Sequence, residues 1–371
     1  MSERDPMLNT CSIVAAKDAY AAGNLGEADT LCIGILNDTP NDVATLRLLS
    51  RLSLDRGDAL EAVRILAQAL AVDPSRLDIR CEIAAACQKA DRVAEAIEHL
   101  ELVIATTPQF FRAYGQLANL YYEAGRIEDA ARVYGQWHVL DPTQVEVGHM
   151  ATATSGLDVP VQCSPEFVKI HFNGLATTFN KRLVGDLGYV GHQVACEALT
   201  ETCDVAINNF AILDAGCGTG LCGPLIKRHR NVLTGVDLAE KMIAQAARTG
   251  AYDSLIVEDI CVHMRAHRGA YDAIISSDVL IYIGDLTAVF ESANGALTNG
   301  GLFVATLERS VEEGPASYRL EPHGRYTHSE NYVRSIVRET GFEIVHLAET
   351  QLRRELGRNV AGLLVVSRKA A

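Results

Sequence analysis

The sequence predicts two parts with different folds: an all-α solenoid of helical repeats, followed by an α/β domain with a doubly wound, seven-stranded, mainly parallel sheet. In the first half, several residue types recur every 34 positions. In the second half, short apolar, β-branched runs alternate with glycine turns and helical stretches. These patterns predict repeats over residues 1–143, a helical cap and linker over 144–163, and the α/β domain over 164–371.

Four columns of residues share the 34-residue period. They are Pro40, Pro74, Pro108 and Pro142; Ala28, Ala62, Ala96 and Ala130; Gly23, Gly57, Asp91 and Gly125; and Ala16, Ser50, Ala84 and Ala118. This pattern resembles the tetratricopeptide repeat, in which small residues let two antiparallel helices approach and a proline ends the second one. The resemblance implies about four repeats, at 9–42, 43–76, 77–110 and 111–144.

Such an array binds a peptide or protein partner, dimerises, or serves as a rigid scaffold that covers a neighbouring active site. The sequence leaves these alternatives open, because a repeat pattern defines a shape and not its occupant.

Composition and charge exclude several classes of function. The chain has 371 residues and a formal net charge of −14, of which −10 falls within residues 1–163. An acidic chain without a basic block argues against a nucleic-acid partner. The charged start and the lack of a long apolar run predict neither a signal peptide nor a membrane partner, and therefore a cytoplasmic protein. The cysteines form no CxxC pair, so we expect reduced thiols and no metal site.

Seven segments of the second half are candidate strands, and two candidate helices precede them. The strands are AILDAG, VLTGVD, SLIVED, YDAIISS, GLFVATL, FEIVHLA and VAGLLVVS. Residues 164–200 show apolar residues at helical spacing, with Pro165 at a start position, and are predicted to form entry helices to the domain.

The first of these strands runs into a glycine loop with the spacing DxGxGxG, formed by Asp214, Gly216, Gly218 and Gly220. Dinucleotide-binding loops use GxGxxG instead. The spacing resembles the loop of class I S-adenosylmethionine (SAM) dependent methyltransferases, a fold of the Rossmann-like type. The resemblance implies that the loop holds the cofactor, with Asp214 orienting its amino-acid end. We also expect that a Cβ at Gly216 or Gly218 would keep the cofactor away. The alternative is a purely structural turn.

The next two strands end in acidic residues that the same resemblance assigns to the cofactor. Asp237 would accept hydrogen bonds from the ribose hydroxyls, and Asp259 would bind the adenine amino group. Leu238, Met242 and Ile260 are the implied apolar neighbours of the cofactor. An acid at position 237 also suits NAD, but the glycine spacing and Asp259 favour SAM over an NAD-dependent oxidoreductase.

Ser277, Asp278 and Tyr282 follow the fourth strand and are expected near the methyl-transfer end, with Asp278 also a cofactor contact or else a surface-loop acid. The candidate bases are His328, or His323, and Tyr189 is a second candidate catalytic residue. The run THSE offers another explanation of His328, as a residue at a helix start that Ser329 or Thr327 caps.

Four residues are candidate substrate contacts: Phe179, Tyr282, Arg325 and Tyr326. Arg325 and Tyr326 would hold a carboxylate or phosphate, unless Arg325 forms only a surface ion pair. Phe172, Phe179 and Tyr189 would close over the site, unless they form only the apolar stripe of the entry helices.

Together these patterns predict a SAM-dependent methyltransferase that acts on an oxygen, nitrogen or sulfur atom of a small molecule and releases S-adenosylhomocysteine (SAH). Two alternatives remain. The repeats would recruit a protein that is methylated, or the chain would be a non-catalytic interaction protein that retains the fold.

Overall fold

The computed structural model describes residues 6–203, 210–226, 232–310, 318–355 and 357–370, with side chains from residue 13 onward. The chain divides into two units, Met1–Asp141 and Pro142–Ala371. Within the described residues, no helix is both long and apolar enough to cross a bilayer.

The first unit contains four pairs of antiparallel helices in its described part. They are α1 (Pro6–Ala21), α2 (Leu25–Asp38), α3 (Val43–Asp55), α4 (Ala59–Val72), α5 (Leu77–Lys89), α6 (Val93–Thr106), α7 (Phe111–Glu123) and α8 (Ile127–Leu140). The predicted helical repeat array is confirmed.

Each column of the 34-residue period has a structural cause. The four alanines of the Ala28 column are fully buried where paired helices touch. The glycine column has positive φ in the turn between the helices, and Asp91, which replaces glycine in the third repeat, also has a φ of +60°. The prolines lie two residues after the ends of α2, α4, α6 and α8.

The second unit begins with helices. They are α9 (Val145–Ser155), α10 (Pro165–Leu175), a π-helical turn (Lys181–Asp186) and α11 (Gly191–Thr202). The predicted cap helix is α9. Ser164 caps α10 by accepting a hydrogen bond from the Phe167 amide, with Pro165 in the first turn as predicted.

Strands and helices then alternate. The strands are β1 (Ala211–Ala215), β2 (Val232–Asp237), β3 (Ser254–Val257), β4 (Tyr271–Ser276), β5 (Leu297–Arg309), β6 (Tyr318–Leu320), β7 (Tyr326–His328), β8 (Phe342–Glu355) and β9 (Arg358–Lys369). The helices are α12 (Gly223–Ile226), α13 (Glu240–Arg248), α14 (Ile260–Ala266), α15 (Thr287–Ala296) and α16 (Glu330–Glu339). All seven predicted strands are present, and β6 and β7 form a short additional hairpin.

The sheet is mainly parallel in the order β3-β2-β1-β4-β5, beyond which β9 pairs antiparallel with β5 and with β8. Apolar side chains fill both faces. Leu213 and Phe290 belong to the core on the side of α14–α16, while Ile212 and Leu199 belong to the core on the side of α11. Because β1 to β5 run parallel, the loops after them meet at one edge of the sheet, where ligands of α/β proteins usually bind.

Candidate cofactor and acceptor site

The glycine loop after β1 adopts a conformation that favours glycine. Gly216, Gly218 and Gly220 have φ values of +82°, +53° and +85°. A Cβ at Gly216 would lie 2.3 Å from Cγ2 of Val279, whereas a Cβ at Gly218 would meet no atom within 4 Å. A Cβ at Gly218 would therefore stand in open space and obstruct a ligand, as the sequence predicts. At Gly216 the side chain of Val279 is the obstacle.

Asp237, at the end of β2, holds the loop in place. Its Oδ2 accepts a hydrogen bond from the Gly218 amide at 2.9 Å, and its Oδ1 accepts one from the Ala239 amide at 2.8 Å. Burial raises the pKa of Asp237, while these two amide bonds lower it. The carboxylate therefore fixes the conformation of the glycine loop. Its contact with the ribose hydroxyls remains a prediction from the sequence.

Asp214, at the end of β1, is almost completely buried. Its Oδ2 accepts a hydrogen bond from the Tyr252 hydroxyl at 2.6 Å. Burial raises the pKa of the carboxyl group to about 7, against the effect of the tyrosine bond. A cation beside it, such as the ammonium group of a bound amino acid, would favour its ionised form.

Asp259 follows β3 and caps α14. The amides of Cys261 and Val262 both donate to the same oxygen, Oδ1, at 2.9 Å. Ile260, the first residue of α14, is buried in the core beside it. The cap fixes the direction of the carboxylate, and Oδ2 would be the oxygen that meets an adenine amino group.

The entry segment, residues 164–200, packs over part of the site. Ala176, Phe172 and Phe179 pack with Met242 and Ala239, which are fully buried. Two hydrogen bonds hold the segment down: Thr219 in the glycine loop donates to Oδ1 of Asn180 at 2.5 Å, and the Lys241 amide donates to Oδ1 of Asn173 at 2.9 Å. Leu238, also a predicted cofactor contact, lies in the turn between β2 and α13.

A second part of the entry segment reaches the loop after β4. The Tyr189 hydroxyl and the Ser277 hydroxyl are hydrogen-bonded at 2.6 Å. Burial raises the pKa of Tyr189 well above its ordinary value, so the group is neutral and cannot act as a base at neutral pH. The Val190 amide donates to the Leu352 carbonyl, and the Arg354 amide donates to the Leu187 carbonyl, so residues 187–190 are joined to the end of β8.

Asp278 belongs to a buried network of charges that the sequence did not reveal. Its φ is +60°, and both its carboxylate oxygens lie 3.0 Å from Nη1 of Arg353. Arg353 also pairs with Glu308 and with Glu355, and its side chain is 2% exposed. The consecutive arginines Arg353 and Arg354 are one sequence signal for this network. Consecutive strand residues point to opposite faces of the sheet, so two adjacent arginines in a strand cannot both face the same side.

Arg325 belongs to the same network. Its guanidinium contacts Glu308 and Glu355, each at 2.6 Å, and His323 lies 3.5 Å from Glu308. Burial and Arg325 lower the pKa of His323 to about 3, so this ring is neutral at physiological pH. Arg325 is thus part of a half-buried ion network and not of an exposed ion pair.

His328 and Tyr326 lie inside β7 and are fully buried. Nε2 of His328 donates to the Ile283 carbonyl at 2.9 Å, and burial lowers its pKa to about 4. The Tyr326 hydroxyl donates to the Pro160 carbonyl at 2.7 Å. The structure therefore gives no support to His328 as a base or to Tyr326 as a substrate contact. Ser329 caps α16 and accounts for the THSE run.

Tyr282 lies in a short 3₁₀ turn after β4, and its ring meets the edge of Phe172 at 5.2 Å between centroids. Burial raises its pKa to about 12. Phe172 also meets Phe179, with ring centroids 5.9 Å apart, so Tyr282, Phe172 and Phe179 form a continuous aromatic cluster. Apart from Asp278, the cofactor candidates lie at or after the ends of β1, β2 and β3.

Comparison with known families gives the deciding observation. A family described as "Methyltransferase domain" matches residues 213–305, which include the glycine loop, Asp237, Asp259 and Asp278. The second unit contains a methyltransferase domain. The tetratricopeptide repeat family matches residues 53–110 and 88–149, so the repeats are confirmed as well.

Among solved structures, the magnesium protoporphyrin IX methyltransferase of Synechocystis PCC 6803, with bound SAM, is 22% identical. That match covers 56% of this chain and 97% of that one, with a TM-score of 0.43. The 1,6-didemethyltoxoflavin-N1-methyltransferase of Burkholderia thailandensis is 16% identical, over 58% of this chain and 94% of that one, with a TM-score of 0.45. A search of curated proteins found no match.

Proposed function

We propose that the protein transfers the methyl group of SAM to an oxygen, nitrogen or sulfur nucleophile of a small molecule. The observation that carries the small-molecule proposal is the cover over the site. Phe172 and Phe179 pack over Met242, and Asn180 is bonded to the glycine loop. A covered site admits a small acceptor more easily than a residue of a folded protein.

The residues at the sheet edge suit SAM. Open space faces Gly218, the Asp237 carboxylate lies beside the loop, and the cap uses Oδ1 of Asp259 and leaves Oδ2 for a ligand. When bound, SAM supplies an electrophilic methyl group on a sulfonium ion. The chain then has to hold the acceptor in line with that group and exclude water, which is worth several kcal/mol through effective molarities of about 10⁵ M or more.

Tyr189 and Ser277 would form the wall beside the reacting atoms. Their hydroxyls are bonded to each other and Tyr189 is neutral, so they position an acceptor by hydrogen bonding and do not remove its proton. His328 is not retained as the base.

Protein methylation is the second candidate, and the repeats favour it because such arrays commonly bind peptides or proteins. In either case we propose a cytoplasmic protein whose repeats bind a protein partner or self-associate, without a nucleic-acid or membrane partner.

The test uses SAM with a deuterated methyl group and a cell extract that has been separated into small molecules and proteins. We expect the purified full-length chain to label the small-molecule fraction. Gly218→Ala should abolish labelling, because the new Cβ would occupy the open space. Gly57→Ala is the matched control, since this glycine of the first unit also has positive φ and open space around it.

Label in the protein fraction alone would replace the first candidate by the second. No label in either fraction, together with no binding of SAH, would contradict both.

A further inference from the structure

Six residues near the end of β4 form what we call the charge cluster: Asp278, Glu308, His323, Arg325, Arg353 and Glu355. Arg353 lies at its centre and contacts three carboxylates, while Arg325 contacts two of them. The side chains of Arg353 and Glu308 are 2% and 3% exposed. Little water therefore screens the central pair of Arg353 and Glu308.

The charge cluster has a net negative charge at neutral pH. Burial raises the pKa of Glu355, but Arg325 and Arg353 outweigh it and hold the pKa at about 2. The carboxylates raise the pKa of Arg353 despite burial. Because His323 is neutral, three carboxylates face two guanidinium groups. Among the described residues, the cluster thus carries a formal charge of −1.

The charge cluster lies at the acceptor end of the site. Asp278 stands between Ser277, which is bonded to Tyr189, and Val279, whose side chain fills the Cβ position of Gly216. Arg353 is flanked by the two backbone hydrogen bonds that join β8 to residues 187–190. The cluster therefore borders both the glycine loop and the wall formed by Tyr189.

A buried nitrogen without a partner lies against the same wall. The ring of His192 is stacked on Tyr189 at 5.4 Å, and its Nδ1 is buried without a hydrogen bond among the described residues. The side chain of His192 is about nine-tenths buried, and burial lowers its pKa, so the ring is neutral. A bound ligand would satisfy this nitrogen, which accepts or donates a hydrogen bond according to the tautomer of the neutral ring.

We propose that the acceptor is positively charged before it reacts and is therefore an amine. This inference rests on the proposed function and specifies its substrate. A net charge of −1 centred on a buried ion pair, where water screens it weakly, attracts a cation and repels a carboxylate or phosphate. The aromatic rings of Phe172 and Tyr282, whose centroids are 5.2 Å apart, also suit a cation or an apolar skeleton.

The chemistry balances without a further reactant. The bound ammonium group releases one proton to water and becomes an amine with a lone pair. That lone pair forms the new N–C bond as the C–S bond breaks, and the electron pair of the broken bond stays on sulfur. The methylated nitrogen carries the positive charge until it loses a second proton to water.

The test compares three probes with similar skeletons and different charges: 2-phenylethylamine, 2-phenylethanol and 3-phenylpropionate. Binding of SAH to the full-length chain is measured first, and saturation-transfer NMR then gives the affinity of each probe for the SAH complex. We expect the amine to bind roughly tenfold or more tightly than the alcohol, the effect of one unit charge over about 10 Å at an effective dielectric constant of about 20, and the carboxylate to bind more weakly than the alcohol by a similar factor.

Glu308→Gln neutralises the charge cluster with little change of shape and should remove most of this preference. Glu355→Gln is a second variant in case the first does not fold. Glu349→Gln is the matched control, because this glutamate of β8 pairs with Arg309 at an exposed position. It should leave the preference unchanged.

Three results would overturn the inference. One is equal or absent binding of the three probes to a protein that binds SAH, which would leave the proposed function intact. A second is a Glu308→Gln protein that still prefers the amine probe but binds SAM more weakly, relative to SAH, than the wild type does. The negative charge of the cluster would then serve the sulfonium group of the cofactor and not the acceptor. The third is no binding of SAH, in which case the proposed function fails as well.

Discussion

Replacing Asp259 by asparagine tests the adenine contact without removing the helix cap. In the structure only Oδ1 receives the amides of Cys261 and Val262. Asparagine caps helices about as well as aspartate, so the free energy of unfolding should change by less than about 1 kcal/mol. Oδ2, however, becomes an NH₂ group that faces the adenine amino group, and two donors cannot bond to each other.

The expected loss is that of a hydrogen bond to a charged group, about 1.5 to 3 kcal/mol, or roughly 10- to 150-fold in affinity for SAH. The same variant should gain affinity for S-inosylhomocysteine, whose 6-oxo group accepts a hydrogen bond where adenine donates one. Isothermal titration calorimetry with SAH and with S-inosylhomocysteine measures this change in ligand preference. Thermal unfolding of each protein checks the fold.

Asp58→Asn is the matched control, since Asp58 caps α4 in the first unit through the Glu61 amide. It should leave both affinities unchanged. Unchanged SAH affinity in a folded Asp259→Asn protein would refute the assignment of Asp259 to adenine.

Three further predictions concern the loop and the wall of the site. Gly216→Ala should lower the free energy of unfolding by about 1 to 3 kcal/mol in denaturant titrations, because its Cβ would collide with Val279; no loss would refute the packing argument. Tyr189→Phe should lower the free energy of unfolding by about 0.5 to 1.5 kcal/mol and reduce turnover, while the SAH affinity measured by calorimetry stays the same. Unchanged turnover would show that Tyr189 is not part of the wall beside the reacting atoms. Asp214 has a folded pKa of about 7, raised by burial, so its contribution to stability is complete below about pH 4 and is lost as the pH rises through 7. Relative to Asp214→Asn, the wild-type protein should therefore lose up to about 4 kcal/mol between those pH values, and parallel pH profiles would contradict this.

The repeats and the order of the sheet could be predicted because each depends on a local pattern. The 34-residue columns mark residues that every repeat needs at the same place, such as Ala28 in the helix contact and Gly23 in the turn. The apolar runs of β1, β4 and β5 are buried on both faces, so their composition alone distinguishes them. By contrast, β6 and β7 are only three residues long, which is too short to produce a periodic signal.

The cofactor candidates could be predicted for a similar reason, since they follow directly after strands. The charge cluster could not. Asp278, Glu308 and Arg353 come from three distant parts of the chain, and their burial depends on how β4, β5 and β8 are arranged. For His328 the sequence offered two explanations, and only the structure shows that its ring is enclosed within β7 and the 3₁₀ turn.

Calorimetry with SAH, SAM and NADH on the purified full-length chain distinguishes a SAM site from a dinucleotide site. We expect SAH and SAM to bind and NADH not to bind, because the glycine loop and Asp259 suit an adenosyl group joined to an amino acid. A folded protein that binds neither SAH nor SAM would refute the assignment of the glycine loop, Asp237 and Asp259 to this cofactor.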